Sequence, residues 1–184
     1  MAVDSKSMSA TLEMETVQDQ EAFNLARWAE ICADPILSKL EFRVESDAHG
    51  HPIMSPPPAF SHGNYQSDIV FRLRQLLARG TVATECPIST NGGIRAADVI
   101  WISPERQAIS LKQNVLTVAP EICVEVLSPG NTRGEMDAKK QLYFDAGADE
   151  VWFCDLKGRM FFFTKAQPDT ASPSLACPAF PEQI

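Results

Sequence analysis

Apolar residues recur at helical spacing in two long stretches of the chain. The first stretch covers residues 20–33. The second contains Ile69, Leu73 and Leu77, and Gly80 follows it. Residues three and four apart share one face of a helix, and glycine commonly follows a helix end. The pattern therefore predicts two amphipathic helices.

Shorter apolar runs bounded by turn residues predict the strands of a sheet. The expected strands are residues 40–44, 51–54, 81–88, 97–102, 122–127, 151–154 and 159–163. The first two flank an Asp-Ala-His-Gly turn and form a hairpin, and Asn91-Gly92-Gly93 marks another turn. The run 97–102 is apolar almost throughout, which is typical of a central strand buried on both faces.

A third helix is predicted between the strands 122–127 and 151–154. Thr132 and Glu135 fit a capping box at its start, and Gly147 follows its end near Ala146. The fold class is thus α/β, with a mixed sheet flanked by helices in one domain over residues 19–184. Residues 1–18 are expected to be a disordered tail, and the proline-rich residues 166–184 a loose, extended one.

Charge and cysteine content narrow the class of protein. The 184 residues carry a formal net charge of -8, which argues against a protein that simply coats phosphates but leaves a nuclease open. Five dispersed cysteines without a CxxC pair favour a reducing, cytoplasmic setting. No signal peptide and no stretch of the ~20 apolar residues that span a bilayer is visible.

Two carboxylates lie on adjacent predicted strands. Asp98 begins the strand 97–102, where it could bind a cation, cap a turn or pair with Arg95. Glu125 lies between Val124 and Val126, on the opposite face from them. A buried carboxylate needs a cation or several hydrogen-bond donors, so the alternatives are a metal site and a buried ion pair. Glu121 shares its face and is expected at the rim or as a weaker neighbour of a metal.

Lys139 lies on the apolar stripe of the third helix, with Leu142, Tyr143 and Ala146. Its ammonium either meets Glu125 on the preceding strand or extends along the stripe to water. The neighbouring Lys140 lies off this stripe, so its side chain points in another direction.

Together, Asp98, Glu125 and Lys139 fit a metal-dependent phosphodiesterase. The carboxylates would hold Mg²⁺ or Mn²⁺ through oxygen ligands, and the lysine would orient a water or stabilise charge on the phosphate. His49 and His51 form an HxH pair that a plain turn explains better, and His62 is expected at a helix start or on the surface. Nucleotide-binding, hydrolase-elbow and zinc motifs are missing from the sequence.

These residues carry a resemblance to the Uma-two family of restriction endonucleases, in the PD-(D/E)XK nuclease superfamily. Ala97-Asp98 stands for the PD motif, and Val124 to Pro129 for a VEVLSP run. Lys139 lies four residues before Tyr143, and an Ala-Gly pair precedes Trp152. The upstream segment VESDAHGHPIMSPP and the C-terminal PAFPEQI are also similar.

The resemblance implies a restriction-endonuclease-like core, an Mg²⁺ or Mn²⁺ site, DNA as substrate and a homodimer. It adds Glu45 as a further metal-site carboxylate. It also implies that the motif lysine has moved from the strand, where Leu127 stands, to Lys139 on the following helix. Ala97 replaces the motif proline, which removes no ligand.

Arg95, Arg133 and Lys140 are the predicted nucleic-acid contacts. Arg72, Arg74 and Arg79 on the second helix could add to this phosphate-contacting set, and the alternative for these three is a solvated helix face.

The leading functional hypothesis is a metal-dependent DNA endonuclease. The net negative charge and the shortage of basic clusters keep a second hypothesis open. In it, the chain is a DNA- or protein-binding module that retains the nuclease fold but does not cut. A third is an interaction protein in which the core carboxylates merely pair with Lys139.

Overall fold

The computed structural model describes residues 17–39, 43–55, 57–112 and 114–184. Residues 1–16 of the expected N-terminal tail lie outside this part, as do residues 40–42 at the start of the predicted hairpin. The first helix begins at Val17, inside the segment expected to be a tail.

All helices and strands predicted from the apolar pattern are present. The helices are α1 (Val17–Ala33), α2 (Phe60–Leu76), α3 (Pro104–Ser110) and α4 (Arg133–Asp145), with a 3₁₀ turn at Leu37–Lys39. The strands are β1 (Arg43–Ser46), β2 (Pro52–Ser55), β3 (Thr81–Thr90), β4 (Gly93–Ile102), β5 (Leu111–Lys112), β6 (Val115–Leu116), β7 (Ile122–Val126), β8 (Glu150–Cys154) and β9 (Met160–Thr164). None of the described helices is long and apolar enough to cross a membrane.

Four short elements had not been predicted: the 3₁₀ turn, α3, β5 and β6. Helix α3 did carry a signal, because Ser103 caps it by accepting a hydrogen bond from the Arg106 backbone and Pro104 occupies its first turn. Its seven residues are too few to show an apolar period.

Seven strands form one mixed sheet in the order β5-β6-β3-β4-β7-β8-β9. Strand β4 lies antiparallel to both β3 and β7, whereas β7 and β8 are parallel. A parallel pair needs a crossover connection, and α4 supplies it. The burial of nearly all of β4 confirms the central strand. Strands β1 and β2 pair as the separate hairpin expected from the sequence, with His49 and His51 at its turn.

The two faces of the sheet bury different apolar clusters. On one face, Ile122, Val124 and Val126 pack with Ile69 and Leu73 of α2. On the other, Cys123 packs with Tyr143 and Phe144 of α4. The alternation along β7 therefore directs Glu125 toward the α4 face, as its position in the sequence predicted.

The C-terminal segment corrects one prediction. Residues 166–184 are irregular, but they are not loose: Phe180 is buried against the Trp152 and Phe162 rings. The buried carboxylate of Glu150 accepts hydrogen bonds from the Leu175 and Ala176 backbones at 2.6 and 2.7 Å. Proline content indicated the lack of regular structure, but it gave no sign of this buried anchor.

The β1–β2 hairpin is fastened to the start of β4. Ile94 donates its backbone N–H to the Ser46 hydroxyl at 3.0 Å. Gly93 has φ +99, and a Cβ there would collide with the backbone oxygens of Ser46 and Asp47. This close approach, which only glycine allows, brings the side chains of β1 to the middle of β4.

Candidate active site

Asp98 is almost fully buried in the middle of β4, at 1% exposure. Its Oδ2 accepts a hydrogen bond from the Val126 backbone at 2.7 Å and lies 3.2 Å from His62 Nε2. Its Oδ1 accepts from Arg43 at 2.6 Å. Burial alone would raise the pKa of Asp98, but His62 and Arg43 outweigh it, so the pKa is lowered and the group is ionised.

The backbone beside Asp98 is irregular. Glu85 on β3 has φ +51, and the β3–β4 register runs from Thr84–Val99 to Cys86–Ala97 without a Glu85–Asp98 pair. A non-glycine residue in this region is strained, and such strain persists where the surrounding structure enforces it. Gln66 of α2 fills the gap, donating to Glu85 at 2.7 Å and to the Asp98 carbonyl at 3.2 Å.

Glu125 lies on the neighbouring strand and is also buried, at 4% exposure. The Tyr143 hydroxyl donates to one carboxylate oxygen at 2.7 Å, and Lys139 Nζ donates to the other at 3.0 Å. Burial raises the pKa of Glu125 to about 7, against the opposing effect of Lys139. The two strand carboxylates therefore differ in protonation near neutral pH.

Lys139 extends from α4 toward the sheet. Its Nζ donates to Glu125, to Glu45 at 3.2 Å and to the Ala96 carbonyl at 3.4 Å. Burial lowers the pKa of Lys139, but the negative charges of Glu125 and Glu45 raise it by more. The net pKa is therefore raised, and the ammonium stays charged. The expected meeting of Lys139 with Glu125 is found, and the snorkelling alternative is not.

Glu45 on β1 completes the group from the hairpin side. Its carboxylate accepts from the Ala96 backbone at 3.0 Å and from Arg95 at 3.4 Å, besides Lys139. Burial raises its pKa, and Lys139 and the Ala96 N–H lower it by more, so the net pKa is lowered. Arg95 thus pairs with Glu45, not with Asp98 as one reading of the sequence had it.

Three further residues at this site were not predicted. Arg43 shares a face of β1 with Glu45 and contacts Asp98, and Tyr143 holds Glu125. His62, expected at a helix start or on the surface, lies in the first turn of α2 with its ring turned inward. The signal was present, because His62 is seven and eleven residues before Ile69 and Leu73 on the same stripe.

The other predicted residues lie outside this group. Glu121 accepts from the Ser103 hydroxyl and pairs with Arg106 at the far end of β7. Arg133 is exposed near the start of α4. Lys140 is buried, with Nζ 3.1 Å from Asp137 and 4.3 Å from the centroid of the Phe163 ring, so its ammonium has partners away from this site.

The donor set fits a hard divalent cation in its chemistry. Asp98, Glu125 and Glu45 offer carboxylate oxygens, the ligands that Mg²⁺ and Mn²⁺ prefer. Within the described residues, no three His, Cys, Asp or Glu side chains stand close enough together to hold a metal ion. The reason is visible in the contacts, since Arg43 and Lys139 lie between the carboxylates. A cavity of about 930 Å³ lies on another side of α4, lined by residues such as Met136, Lys140 and Phe163, and is not part of this site.

Comparisons with known proteins agree with the resemblance. The model of the Uma2 family, described as "Putative restriction endonuclease", matches residues 30–177. A crystal structure described as "a putative nuclease" from Anabaena variabilis matches with a TM-score of 0.61 and 18% identity, covering 74% of this chain and 83% of that one. This likeness confirms the fold class. No curated protein matches the chain significantly. Because the family model spans most of its length, the chain belongs to the Uma2 family.

Proposed function

We propose that this chain is a metal-dependent endonuclease that hydrolyses phosphodiester bonds in DNA. The observation that carries the proposal is the meeting of Asp98, Glu125 and Lys139, from two adjacent strands and a helix, with Glu45 of the hairpin beside them. The family description and the nuclease-like fold support the same class of reaction.

Each residue of the site would have a different role in this reaction. Asp98 and Glu125 would hold Mg²⁺ or Mn²⁺, with Glu45 as a further carboxylate. Such an ion, when bound, lowers the pKa of a ligand water and offsets charge on the phosphate. Lys139 keeps its proton and orients the attacking water or stabilises negative charge on the phosphate. Tyr143 fixes the orientation of Glu125 through its hydroxyl.

The remaining assignments belong to the same proposal. A homodimer would present two sites to the two strands of a duplex, and the reduced cysteines fit a cytoplasmic setting. Arg95 and Arg133 are the candidate phosphate contacts. Lys140, the third predicted contact, is buried and paired with Asp137, so we expect less of it in this role.

A second candidate function has its own supporting observation. Arg43 and Lys139 already neutralise Asp98 and Glu125, so the fold has no need of a metal ion to bury these charges. A non-cleaving binding module would keep the site in this state.

Cleavage of end-labelled duplex DNA, single-stranded DNA and RNA distinguishes the two candidates. The purified protein is incubated with Mg²⁺, Mn²⁺ or EDTA, beside Lys139→Ala and the matched control Lys140→Ala. We expect metal-dependent internal cuts in DNA, which Lys139→Ala loses by about 10²-fold to 10³-fold and Lys140→Ala retains. DNA binding without cuts under either metal would favour the binding module.

A further inference from the structure

Arg43 lies among the carboxylates of the proposed metal site. Its guanidinium is 2.6 Å from Asp98, 3.1 Å from Glu85 and 3.5 Å from Glu45. Burial lowers its pKa, but the charges of Asp98, Glu125 and the other acids raise it well above the usual range, so it is always charged. Arg43 therefore supplies positive charge where the metal ion is needed.

The hydrogen bonds of Asp98 show which oxygen is left for a metal ion. Its Oδ2 already faces two donors, the Val126 N–H and His62. Its Oδ1 faces Arg43 alone among the described residues. An ion binding to Asp98 would thus approach Oδ1, next to the Arg43 guanidinium, and two cations at such a distance in a buried site repel each other strongly.

The Arg43 guanidinium is not fully hydrogen-bonded by the described residues in its present position. Its Nε is buried and lies 3.1 Å from Glu85, yet it makes no hydrogen bond within the described part of the chain. Glu85 is 44% exposed and sits at the strained position opposite Asp98. The guanidinium therefore lacks a hydrogen bond from Nε to any described residue, and its partner Glu85 extends to the protein surface.

We infer that a divalent metal ion displaces Arg43 from Asp98, and that the released guanidinium then binds a phosphate of the nucleic-acid substrate. A planar guanidinium matches phosphate oxygens in a bidentate arrangement. The inference rests on the proposed function, because it assigns Arg43 a place in that same site. It predicts that metal binding and the Arg43–Asp98 ion pair exclude each other.

Isothermal titration of Mn²⁺ into wild type, Arg43→Gln and Arg95→Gln tests the first half. Arg95 is the matched control, because it is similarly buried and also pairs with Glu45 but makes no contact with Asp98. Loss of either arginine makes the site more negative, so both variants report the general charge effect. If Arg43 occupies the place of the metal ion, Arg43→Gln lowers the Kd for Mn²⁺ about tenfold more than Arg95→Gln does.

Fluorescence anisotropy of a labelled DNA duplex tests the second half. Affinity is measured in EDTA and in Ca²⁺ for wild type, Arg43→Gln and Arg106→Gln. Arg106 is the matched control here, because its guanidinium is similarly buried but pairs with Glu121 and Asp149 outside the site. We expect the gain in affinity on adding Ca²⁺ to be largely lost in Arg43→Gln and kept in Arg106→Gln. An equal Mn²⁺ affinity in Arg43→Gln and Arg95→Gln, or a full Ca²⁺-dependent gain in Arg43→Gln, overturns the inference.

One measurement on the wild-type protein covers the case in which Arg43→Gln fails to fold. The guanidinium Nε–H signals are followed by NMR during a Mg²⁺ titration, with Arg43 assigned through Arg43→Lys. The Arg43 signal should shift on saturation while the signal of Arg106, which pairs with Glu121 and Asp149 outside the site, stays nearly unchanged. An unmoved Arg43 signal in saturated protein contradicts displacement. Failure of the wild type to bind either metal ion would count against the proposed function itself.

Discussion

At Glu125, burial outweighs the positive charge of the neighbouring lysine. Its pKa of about 7 reflects burial, partly offset by Lys139. Asp98 is equally buried, but His62 and Arg43 hold it ionised. Asp98 is thus ionised near neutral pH, where Glu125 gains or loses a proton. A metal ion, which needs both ionised, would bind in competition with that proton.

The pH dependence of stability should show this titration. The folded protein holds a proton on Glu125 that the unfolded chain, with a usual pKa of 4.5, releases. The stabilisation by that proton is complete below about pH 4.5 and is lost as the pH rises to about 7. The Tm of Glu125→Gln, which mimics the protonated group, should therefore rise relative to that of wild type between about pH 5 and about pH 8. A Tm difference that does not change with pH would contradict the raised pKa.

Mn²⁺ binding should have the opposite pH dependence. The metal ion needs the carboxylate form, so its affinity should increase ~tenfold per pH unit below about pH 7 and level off above it. Calorimetric titration at several pH values measures this slope.

The sequence could indicate some of these residues and not others. Asp98 was predictable because it interrupts a strand that is apolar on both faces, Glu125 because of strand alternation, and Lys139 because of the helical stripe. Arg43 was not, since its role depends on how the hairpin docks against β4. Glu45 came only from the family resemblance.

At the scale of elements, the β7–α4–β8 crossover positions the lysine. The capping box of Thr132 and Glu135 fixes the start of α4, and both of its hydrogen bonds are present. Lys139 then faces Glu125 across the layer. The crossover was predictable because capping residues, helix period and the final glycine all agree. The anchoring of the C-terminal segment was not, because it depends on one buried carboxylate in β8.

Glu150 should hold that segment in place. Besides two backbone N–H groups it accepts from the Ser174 hydroxyl at 2.7 Å and from the Trp152 indole at 2.6 Å. Glu150→Ala leaves these buried donors without their acceptor, which we expect to cost about 3 kcal/mol and to lower the Tm by about 6–12 °C.

The neighbouring Asp149→Ala is the matched control, because that carboxylate is half exposed and pairs with Arg106. It should change the Tm far less. Limited proteolysis should cut residues 170–180 faster in Glu150→Ala than in wild type, and an intact segment with an unchanged Tm would refute the anchoring role.

At the scale of the whole molecule, the net charge of -8 does not arise from these paired site residues. Arg43, Arg95 and Lys139 balance the carboxylates of Glu45, Asp98 and Glu125 locally. The order of elements and the central strand could be predicted from the apolar pattern, because sheet and helices must each bury one face. The Lys139–Glu125 pair could be predicted too, but the pairs that involve the hairpin could not, since they join residues up to 94 positions apart.

Metal binding should stabilise the whole fold. An ion that binds only the folded protein at 100 times its Kd adds ~2.7 kcal/mol, or about 5–10 °C in Tm for a chain of this size. We expect Mn²⁺ to raise the Tm of wild type and to leave that of Asp98→Asn nearly unchanged. Equal stabilisation of both proteins would place the ion elsewhere.

The central claim is that phosphodiester cleavage depends on the buried carboxylate of Glu125. The most direct test is nicking of supercoiled plasmid in Mn²⁺, Mg²⁺ or EDTA by wild type, Glu125→Gln and Glu121→Gln. The two changes are isosteric, and Glu121 directly precedes the strand that carries Glu125. The account predicts metal-dependent nicking by wild type and by Glu121→Gln, and a loss of about 10³-fold in Glu125→Gln. Nicking by Glu125→Gln at the wild-type rate would contradict it.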